Sequence, residues 1–279
     1  MKIKLIADSA CSIPKDVAEK YDIEVVPLGI IFGNEQFKDG ATITDEEFFE
    51  RQVNGGITPT TSQINQYEWG EVFKKFLDDY DYIAVVTLSS KMSGTNQSAH
   101  NAAKELGAVD KIHIYDTLSV SIPSGLIAFE IARMIERGAN IEEIDKKVPI
   151  LIEKADVKAT FDSLKYLRDG GRLSNMAAFI GTMLKVKVIL STKDGLVHAS
   201  EKVVSTKKTL KRIKEIVREE ADLSMPIFFG EAAYKEKALE FAREYQEELG
   251  ISDWALAPIG CTVGVHTGPK SFGVAYFRK

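Results

Sequence analysis

The sequence has few of the residues that build disulfide scaffolds and metal centres. Only two cysteines, Cys11 and Cys261, occur among 279 residues, together with four histidines. A disulfide framework needs more cysteines, so both are predicted to be reduced thiols. The cysteines and histidines also lack the spacing of metal ligands, and no metal site is predicted.

Long apolar runs and concentrated positive charge are absent as well. No segment approaches the roughly 20 apolar residues of a membrane span, and the N-terminus has too few for a signal peptide. These features predict a cytoplasmic protein. The formal net charge is −5 without a dominant basic stretch, which argues against nucleic acid as a partner. Neither a Walker loop nor a Gly-x-Gly-x-x-Gly turn is found, so a nucleotide-binding enzyme is disfavoured.

What the chain does contain is an alternation of apolar β-type runs and amphipathic stretches. Residues 3–7, 23–31, 82–88 and 111–116 are predicted strands, and residues 13–21, 66–80, 95–106 and 123–137 are predicted helices. Ser12 is the expected cap of the first helix, Thr44 with Glu47 has capping-box spacing, and Asn140 with Glu143 opens a further predicted helix. This order predicts an α/β fold with a parallel, Rossmann-like sheet in residues 1–155.

The second half, residues 156–279, has a different pattern. The apolar runs 185–190 and 196–203 flank Asp194-Gly195, which is a strong hairpin signal. Helices are predicted at residues 206–221 and 235–249, and strands at 226–229, 254–257 and 272–277. We therefore predict a C-terminal α+β subdomain with a largely antiparallel or mixed sheet, and a domain boundary near residue 155.

Hydroxyl side chains cluster after the predicted strand at residues 82–88. Ser93 and Thr95 stand in a strand-to-helix turn, where open parallel sheets bind ligands and helix amides favour an anion. Both residues could equally be ordinary helix caps. The residues of this turn alone leave the two interpretations open.

Three further clusters have the same ambiguity. The run Thr58-Pro59-Thr60-Thr61-Ser62-Gln63 before a predicted helix is either a binding site or a turn with a cap. Arg172 follows Gly170-Gly171, and its planar guanidinium group either binds an anion such as a carboxylate or is simply solvated. His266 lies among glycines in a predicted loop, where a structural role is the commoner one.

Taken together, the motifs resemble those of the DegV family of bacterial fatty-acid-binding proteins. The resemblance spans the whole chain, as one domain of residues 2–278, and rests on five segments in order. These are Asp8-Ser9-Ala10-Cys11; Thr58-Pro59-Thr60-Thr61-Ser62-Gln63; Leu88-Ser89-Ser90 with Ser93-Gly94-Thr95; Leu164-Lys165-Tyr166-Leu167 with Gly170-Gly171-Arg172-Leu173-Ser174; and His266-Thr267-Gly268-Pro269.

The resemblance implies a two-domain protein that holds one long-chain fatty acid, such as palmitate, stearate or oleate, in a tunnel between the domains. It implies carboxylate contacts from Thr61 and Ser93, with Arg172 and His266 nearby. Thr95 and Asn96 complete the predicted ligand-binding set. It further implies no cofactor, no catalysis by this chain, and an ATP-dependent fatty acid kinase as the partner that phosphorylates the bound acid.

Elementary chemistry agrees with such a ligand. An acyl tail needs a dry apolar slot, where each buried methylene contributes about 0.8 kcal/mol. The carboxylate needs hydrogen bonds, and hydroxyls at two helix N-termini with an arginine or histidine cation would supply them.

Two other hypotheses remain. One is a serine hydrolase that uses Ser93 as nucleophile and His266 as base, although Lys91 and Thr95 occupy the positions where a nucleophile elbow has glycines. The other concerns a basic helix face, which is either solvated or a transient contact with a membrane surface or an acidic partner. Its members are Lys207, Lys208, Lys211, Arg212 and Lys214.

Overall fold

The computed structural model describes residues 1–172 and 187–279, in which thirteen strands and ten α-helices are found. The strands are β1 (Ile3–Asp8), β2 (Glu24–Val26), β3 (Gly29–Phe32), β4 (Glu35–Lys38), β5 (Thr60–Ser62), β6 (Tyr82–Thr87), β7 (Ile112–Asp116), β8 (Ala155–Thr160), β9 (Lys187–Lys193), β10 (Leu196–Val203), β11 (Ile227–Ala232), β12 (Trp254–Pro258) and β13 (Ser271–Phe277). The helices are α1 (Lys15–Lys20), α2 (Asp45–Asn54), α3 (Gln66–Lys74), α4 (Thr95–Glu105), α5 (Ile122–Glu136), α6 (Ile141–Lys154), α7 (Lys165–Gly170), α8 (Thr206–Glu220), α9 (Lys235–Leu249) and α10 (Cys261–Thr267).

A parallel sheet forms the centre of the N-terminal half. Its order is β2-β1-β6-β7, and every neighbouring pair is parallel. All six residues of β1 are buried, as expected for a strand with both faces covered. The α/β class predicted from the alternating pattern is confirmed.

The second large sheet is mixed and has the order β10-β9-β8-β13-β11-β12. Its neighbours are antiparallel except for β11 and β12, which are parallel. The predicted β9–β10 hairpin is confirmed: Asp194 and Gly195 have φ angles of 52° and 80°, as a two-residue turn of this hand requires. Residues 185 and 186 of the predicted first strand lie outside the described residues.

A third sheet, with the order β4-β3-β5, was not predicted. The apolar run 23–31 was predicted to be one strand, and this is wrong. It divides at Pro27 and Leu28 into β2, which pairs with β1, and β3, which pairs antiparallel with β4 and β5. The interruption is intelligible because proline offers no backbone N–H for a sheet.

Helices begin where capping boxes are predicted, whereas the caps predicted from single hydroxyl residues are not formed. The capping boxes of Thr44 with Glu47 on α2 and of Asn140 with Glu143 on α6 are both formed. Ser12 was predicted to cap the first helix, which is wrong: its φ is 48°, and α1 begins three residues later behind Pro14. Neither Ser93 nor Thr95 caps α4, whose N-cap is Gly94.

Helix α5 lies between the two large sheets. It contacts β1 and β6 on one side and β8, β11 and β13 on the other. One hydrophobic cluster accordingly contains Ala7 and Val86 of the parallel sheet, Leu126 of α5, and Phe228 and Phe277 of the mixed sheet. The two sheets therefore share a core. In the described part of the chain, no helix has the length and apolarity needed to traverse a membrane.

Candidate functional site

A cavity of about 300 Å³ lies between the parts of the chain that carry the predicted site residues. Its wall is mainly apolar and draws on both halves of the molecule: the apolar members are Ala10, Leu28, Leu88, Met92, Val120, Ile122, Val157, Ala159, Phe161, Leu167, Leu190, Val197, Ile259 and Val263. The wall also includes Thr61, Ser93, Arg172 and His266. An apolar cavity with a few polar groups is the usual form of a small-molecule site.

The buried carboxylate of Asp8 anchors the beginning of the loop that carries Ser93. Asp8, at the end of β1, accepts a 2.7 Å hydrogen bond from the backbone N–H of Leu88, where β6 ends. Its pKa is raised to about 7, chiefly because burial disfavours the charged form. Asp8 thereby couples the ends of two neighbouring strands at the beginning of the serine loop.

Within the loop, Ser93 makes local contacts and is part of the cavity wall. Its Oγ lies 2.9 Å from Oγ1 of Thr95 and accepts a 3.3 Å hydrogen bond from the backbone N–H of Thr95. The Ser89 hydroxyl instead contacts the second half of the molecule, because its Oγ donates to the carbonyl of Gly195 in the β9–β10 turn at 2.7 Å. The loop is thus attached to the second half of the molecule.

Thr61 reaches the cavity from a strand. It lies in β5 opposite Ile30 of β3, so the expected placement at a helix N-terminus is wrong. Strand β5 continues into Gln63, which packs so closely on Gly94 that a Cβ there would come within 2.2 Å of Gln63 Oε1. This close approach brings the β5 segment and the serine loop together.

His266 lies in the last turn of α10, and the prediction that it sits in a loop is wrong. Its Nδ1 faces Gly170, where a Cβ would approach that nitrogen to 2.0 Å. Nδ1 is buried and has no hydrogen-bond partner among the described residues. Burial and, secondarily, the charge of Arg172 lower the pKa of His266 to about 4.

These surroundings define the state of the His266 ring. A pKa near 4 makes the ring neutral at physiological pH, so it is a hydrogen-bonding group rather than the expected cation. A proton on Nδ1 would be a buried donor without an acceptor, and we therefore assign the proton to Nε2.

Arg172 is the positively charged residue among the described residues of the cavity wall. It is exposed, follows Gly171 with its φ of 65°, and donates from Nη1 to the carbonyl of Gly170 at 2.6 Å. Leu173 and Ser174, which belong to the same sequence motif, lie outside the described residues.

The structure therefore places four of the six predicted ligand-binding residues in the wall of one cavity. The other two, Thr95 and Asn96, do not belong to the described part of that wall. Thr95 is buried beneath Ser93, and Asn96 donates through Nδ2 to Oγ1 of Thr87 at 2.9 Å.

Thr262 was missed by the sequence reasoning and lines the cavity one helical turn before His266. Its distance of four residues from His266 would have indicated the shared face, had the segment been recognised as a helix.

One cluster in the described ranges has the ligand atoms of a metal site within 4.8 Å of one another, namely Asp39, Asp45 and Cys261. The Asp39 oxygens already accept hydrogen bonds from the backbone N–H groups of Cys261 and Thr262 and from Ser9 Oγ. The cluster is thus built as a hydrogen-bonding unit, and we assign it no metal.

The geometry gives little support to a serine hydrolase. In a catalytic triad an acid holds the second ring nitrogen of the histidine base. Nδ1 of His266 has no such partner in the described parts of the chain and lies against Gly170. Ser93 Oγ in turn contacts Thr95.

The predicted basic face on α8 is partly neutralised. Arg212 donates hydrogen bonds to Glu201 from both Nε and Nη2, the shortest from each nitrogen being 2.9 Å long. Lys214 is buried between α8 and α9, with Nζ 2.5 Å and 2.7 Å from Glu244 and Glu248. These pairs reduce the charge that the face offers to a membrane or an acidic partner.

The chain is similar over its length to proteins of one known family. A model of the DegV family matches residues 2–279. The chain belongs to the DegV family. The resemblance identified from the sequence motifs is therefore confirmed.

Relatives in this family include proteins that bind fatty acids. A DegV domain-containing protein of Clostridium perfringens is 36% identical over 100% of this chain and 99% of its own length. A fatty acid-binding DegV protein of Thermus thermophilus has a TM-score of 0.90 at 27% identity, covering 99% of this chain and 100% of the other. A stearic acid-binding protein of Eubacterium ventriosum has a TM-score of 0.88 at 29% identity, covering 99% and 98%.

Proposed function

We propose that this protein binds one long-chain fatty acid with its carboxylate at Thr61, Ser93, Arg172 and His266. The observation that carries the proposal is the cavity itself, because hydroxyls, a neutral imidazole and a guanidinium cation occur in a wall that is otherwise mainly apolar. The two kinds of lining match the two parts of the ligand. Fatty-acid binding by related DegV proteins supports the same ligand class.

Each polar residue has a distinct task in this proposal. Thr61 and Ser93 donate hydroxyl hydrogen bonds, the Nε2–H of His266 donates a third, and Arg172 supplies the positive charge. A carboxylate buried without such donors would be strongly disfavoured. Thr95 acts through Ser93, whose Oγ it contacts, and Asn96 has no direct task.

Mass spectrometry of the solvent-extracted protein tests the ligand class. We expect one fatty acid per chain, and calorimetry with palmitate should give an affinity that falls about tenfold or more in Ser93→Ala. Ser90→Ala is the matched control, because Ser90 is an exposed serine of the same loop outside the cavity wall. A purified protein that contains no fatty acid and takes up none would refute the proposal.

The finer part of the proposal is that the bound acid is presented to an ATP-dependent fatty acid kinase. Presentation is supported by the exposure of Arg172, which in this proposal lies at the head-group end of the bound acid, where a kinase could reach it. A kinase of this type, ATP and protein loaded with labelled palmitate should yield an acyl phosphate that hydroxylamine traps. Equal yield from free palmitate would contradict presentation by this chain.

A further inference from the structure

Helix α10 is too short to set its own position. It has seven residues, and an isolated helix of this length is unstable in water. Its N-cap, Gly260, has no side chain to satisfy the first N–H groups. Whatever orders α10 must therefore come from elsewhere in the fold, and with it the orientation of His266 in its last turn.

A distant carboxylate satisfies those groups. Asp39 Oδ1 accepts from the backbone N–H of Cys261 at 2.9 Å, and Oδ2 accepts from that of Thr262 at 3.2 Å. Ser9 Oγ donates to Oδ2 as well, at 2.9 Å, and only 6% of Asp39 is exposed. Asp39 thus caps a helix more than 200 residues away in sequence.

The location of Asp39 gives this cap a consequence for the site. It directly follows β4, in the same three-stranded sheet whose strand β5 contains Thr61. Its own N–H donates to the carbonyl of Leu28 at 3.0 Å, which ties it to the segment before β3. The sheet that contains Thr61 therefore also reaches the beginning of the His266 helix through the Asp39 side chain.

Other contacts restrict the remaining freedom of α10. A Cβ at Gly264 would come within 2.9 Å of the rings of both Phe48 and Phe49, so α10 lies directly on α2. Gln52 Nε2 donates to the carbonyl of Gly264 at 3.0 Å. These contacts hold the middle of the helix, whereas Asp39 holds its beginning.

We propose that Asp39 is the positioning residue that sets the His266 ring relative to Thr61, and that it thereby shapes the fatty-acid head-group site. The inference rests on the proposed function for its effect on ligand affinity. Its structural part, the placement of the ring against Gly170, stands independently of any ligand.

The test compares Asp39→Ala and Asp39→Asn with Asp45→Asn. The alanine leaves both helix N–H groups without an acceptor. The asparagine side chain has only one acceptor oxygen, so its NH2 group would face one of the two helix N–H groups. Asp45 is the matched control, since it belongs to the same acidic cluster but contacts the Cys261 thiol rather than the helix backbone.

Two measurements are made on folded protein: palmitate affinity by calorimetry and the titration of the His266 ring by NMR. We expect affinity to fall about tenfold or more in Asp39→Ala and by a smaller factor in Asp39→Asn. The His266 titration should move from near pH 4 towards its ordinary value of 6.5 as the ring leaves Gly170. Asp45→Asn should leave both unchanged.

The outcomes separate this inference from the function on which it rests. A wild-type protein that binds no palmitate refutes the proposed function, while the His266 titration still decides the role of Asp39. Folded Asp39 variants with the wild-type titration and affinity would overturn the positioning role, even if their melting temperatures fall. If Asp39→Ala does not fold, Asp39→Asn decides by the same two measurements.

Discussion

His266 has an unusual environment at the scale of single residues. Its ring lies against Gly170, and burial lowers its pKa in the folded protein to about 4 from 6.5. Between those values the unfolded chain binds more protons than the folded one, so the stability contribution is lost as pH falls from 6.5 to 4. The total loss corresponds to about 3 kcal/mol.

Replacement by glutamine, which retains a donor but does not titrate in this range, should remove that loss. Urea unfolding of wild type and His266→Gln at pH 7, 5.5 and 4 would measure it. The difference in unfolding free energy should change progressively in favour of the variant as pH falls. Parallel profiles would show that the histidine titrates normally.

Asp8 is predicted to have the opposite dependence. Its pKa rises to about 7 from 3.8 on folding, so the folded state binds more protons between these values, and stability falls as pH rises from 4 to 7. Asp8→Asn should therefore gain stability over wild type across this interval, by about 4 kcal/mol in total. The exposed Asp16→Asn is the control. A difference that does not depend on pH would contradict the assignment.

At the scale of elements, the site depends on the contact between α7 and α10. Gly170 ends α7, and its α-carbon lies so close to His266 Nδ1 that a methyl group has no room. Ser93 and Thr61 are similarly brought together by the packing of Gly94 on Gln63, but there a flexible side chain can move aside. The Gly170 contact is therefore the more demanding of the two.

Gly170→Ala is expected to push the two elements apart and to weaken palmitate binding about tenfold or more while the protein remains folded. Gly70→Ala is the control, because a Cβ at that helical position meets no atom within 4 Å. Calorimetry and the His266 NMR signals would report the change. Unaltered binding by Gly170→Ala would show that the close contact is unimportant for the ligand.

At the scale of the whole molecule, the shared core around α5 predicts cooperative unfolding. The two halves each contain one of the two tryptophans: Trp69 is buried in α3, and Trp254 lies in β12 of the mixed sheet. Because α5 packs on both large sheets, neither half can expose its core without uncovering part of the other.

The variants Trp69→Phe and Trp254→Phe each leave one fluorescent reporter. In each variant, the urea transition followed by fluorescence should coincide with the transition followed by far-UV circular dichroism. Separate transitions would mean that the halves unfold independently. The domain boundary near residue 155 remains a prediction.

Local patterns in the sequence determined many of the secondary-structure elements of this protein. Alternating apolar runs predicted the parallel sheet, Asp194-Gly195 predicted the hairpin, and two capping boxes predicted helix starts, because each signal depends on neighbouring residues alone. The ordered motifs were sufficient to identify the family. They did so although each cluster by itself had an ordinary structural explanation.

Only the tertiary structure decided how those motifs meet. The run 23–31 could not show that it would serve two sheets, since strand partners are chosen by contacts distant in sequence. The neutral state of His266 depends on its burial in the assembled fold, and its position depends on Asp39, which lies more than 200 residues away. Burial, close packing and long-range hydrogen bonds are properties of the assembled fold, and they decide which hydroxyls face the cavity and which, like that of Thr95, lie behind it.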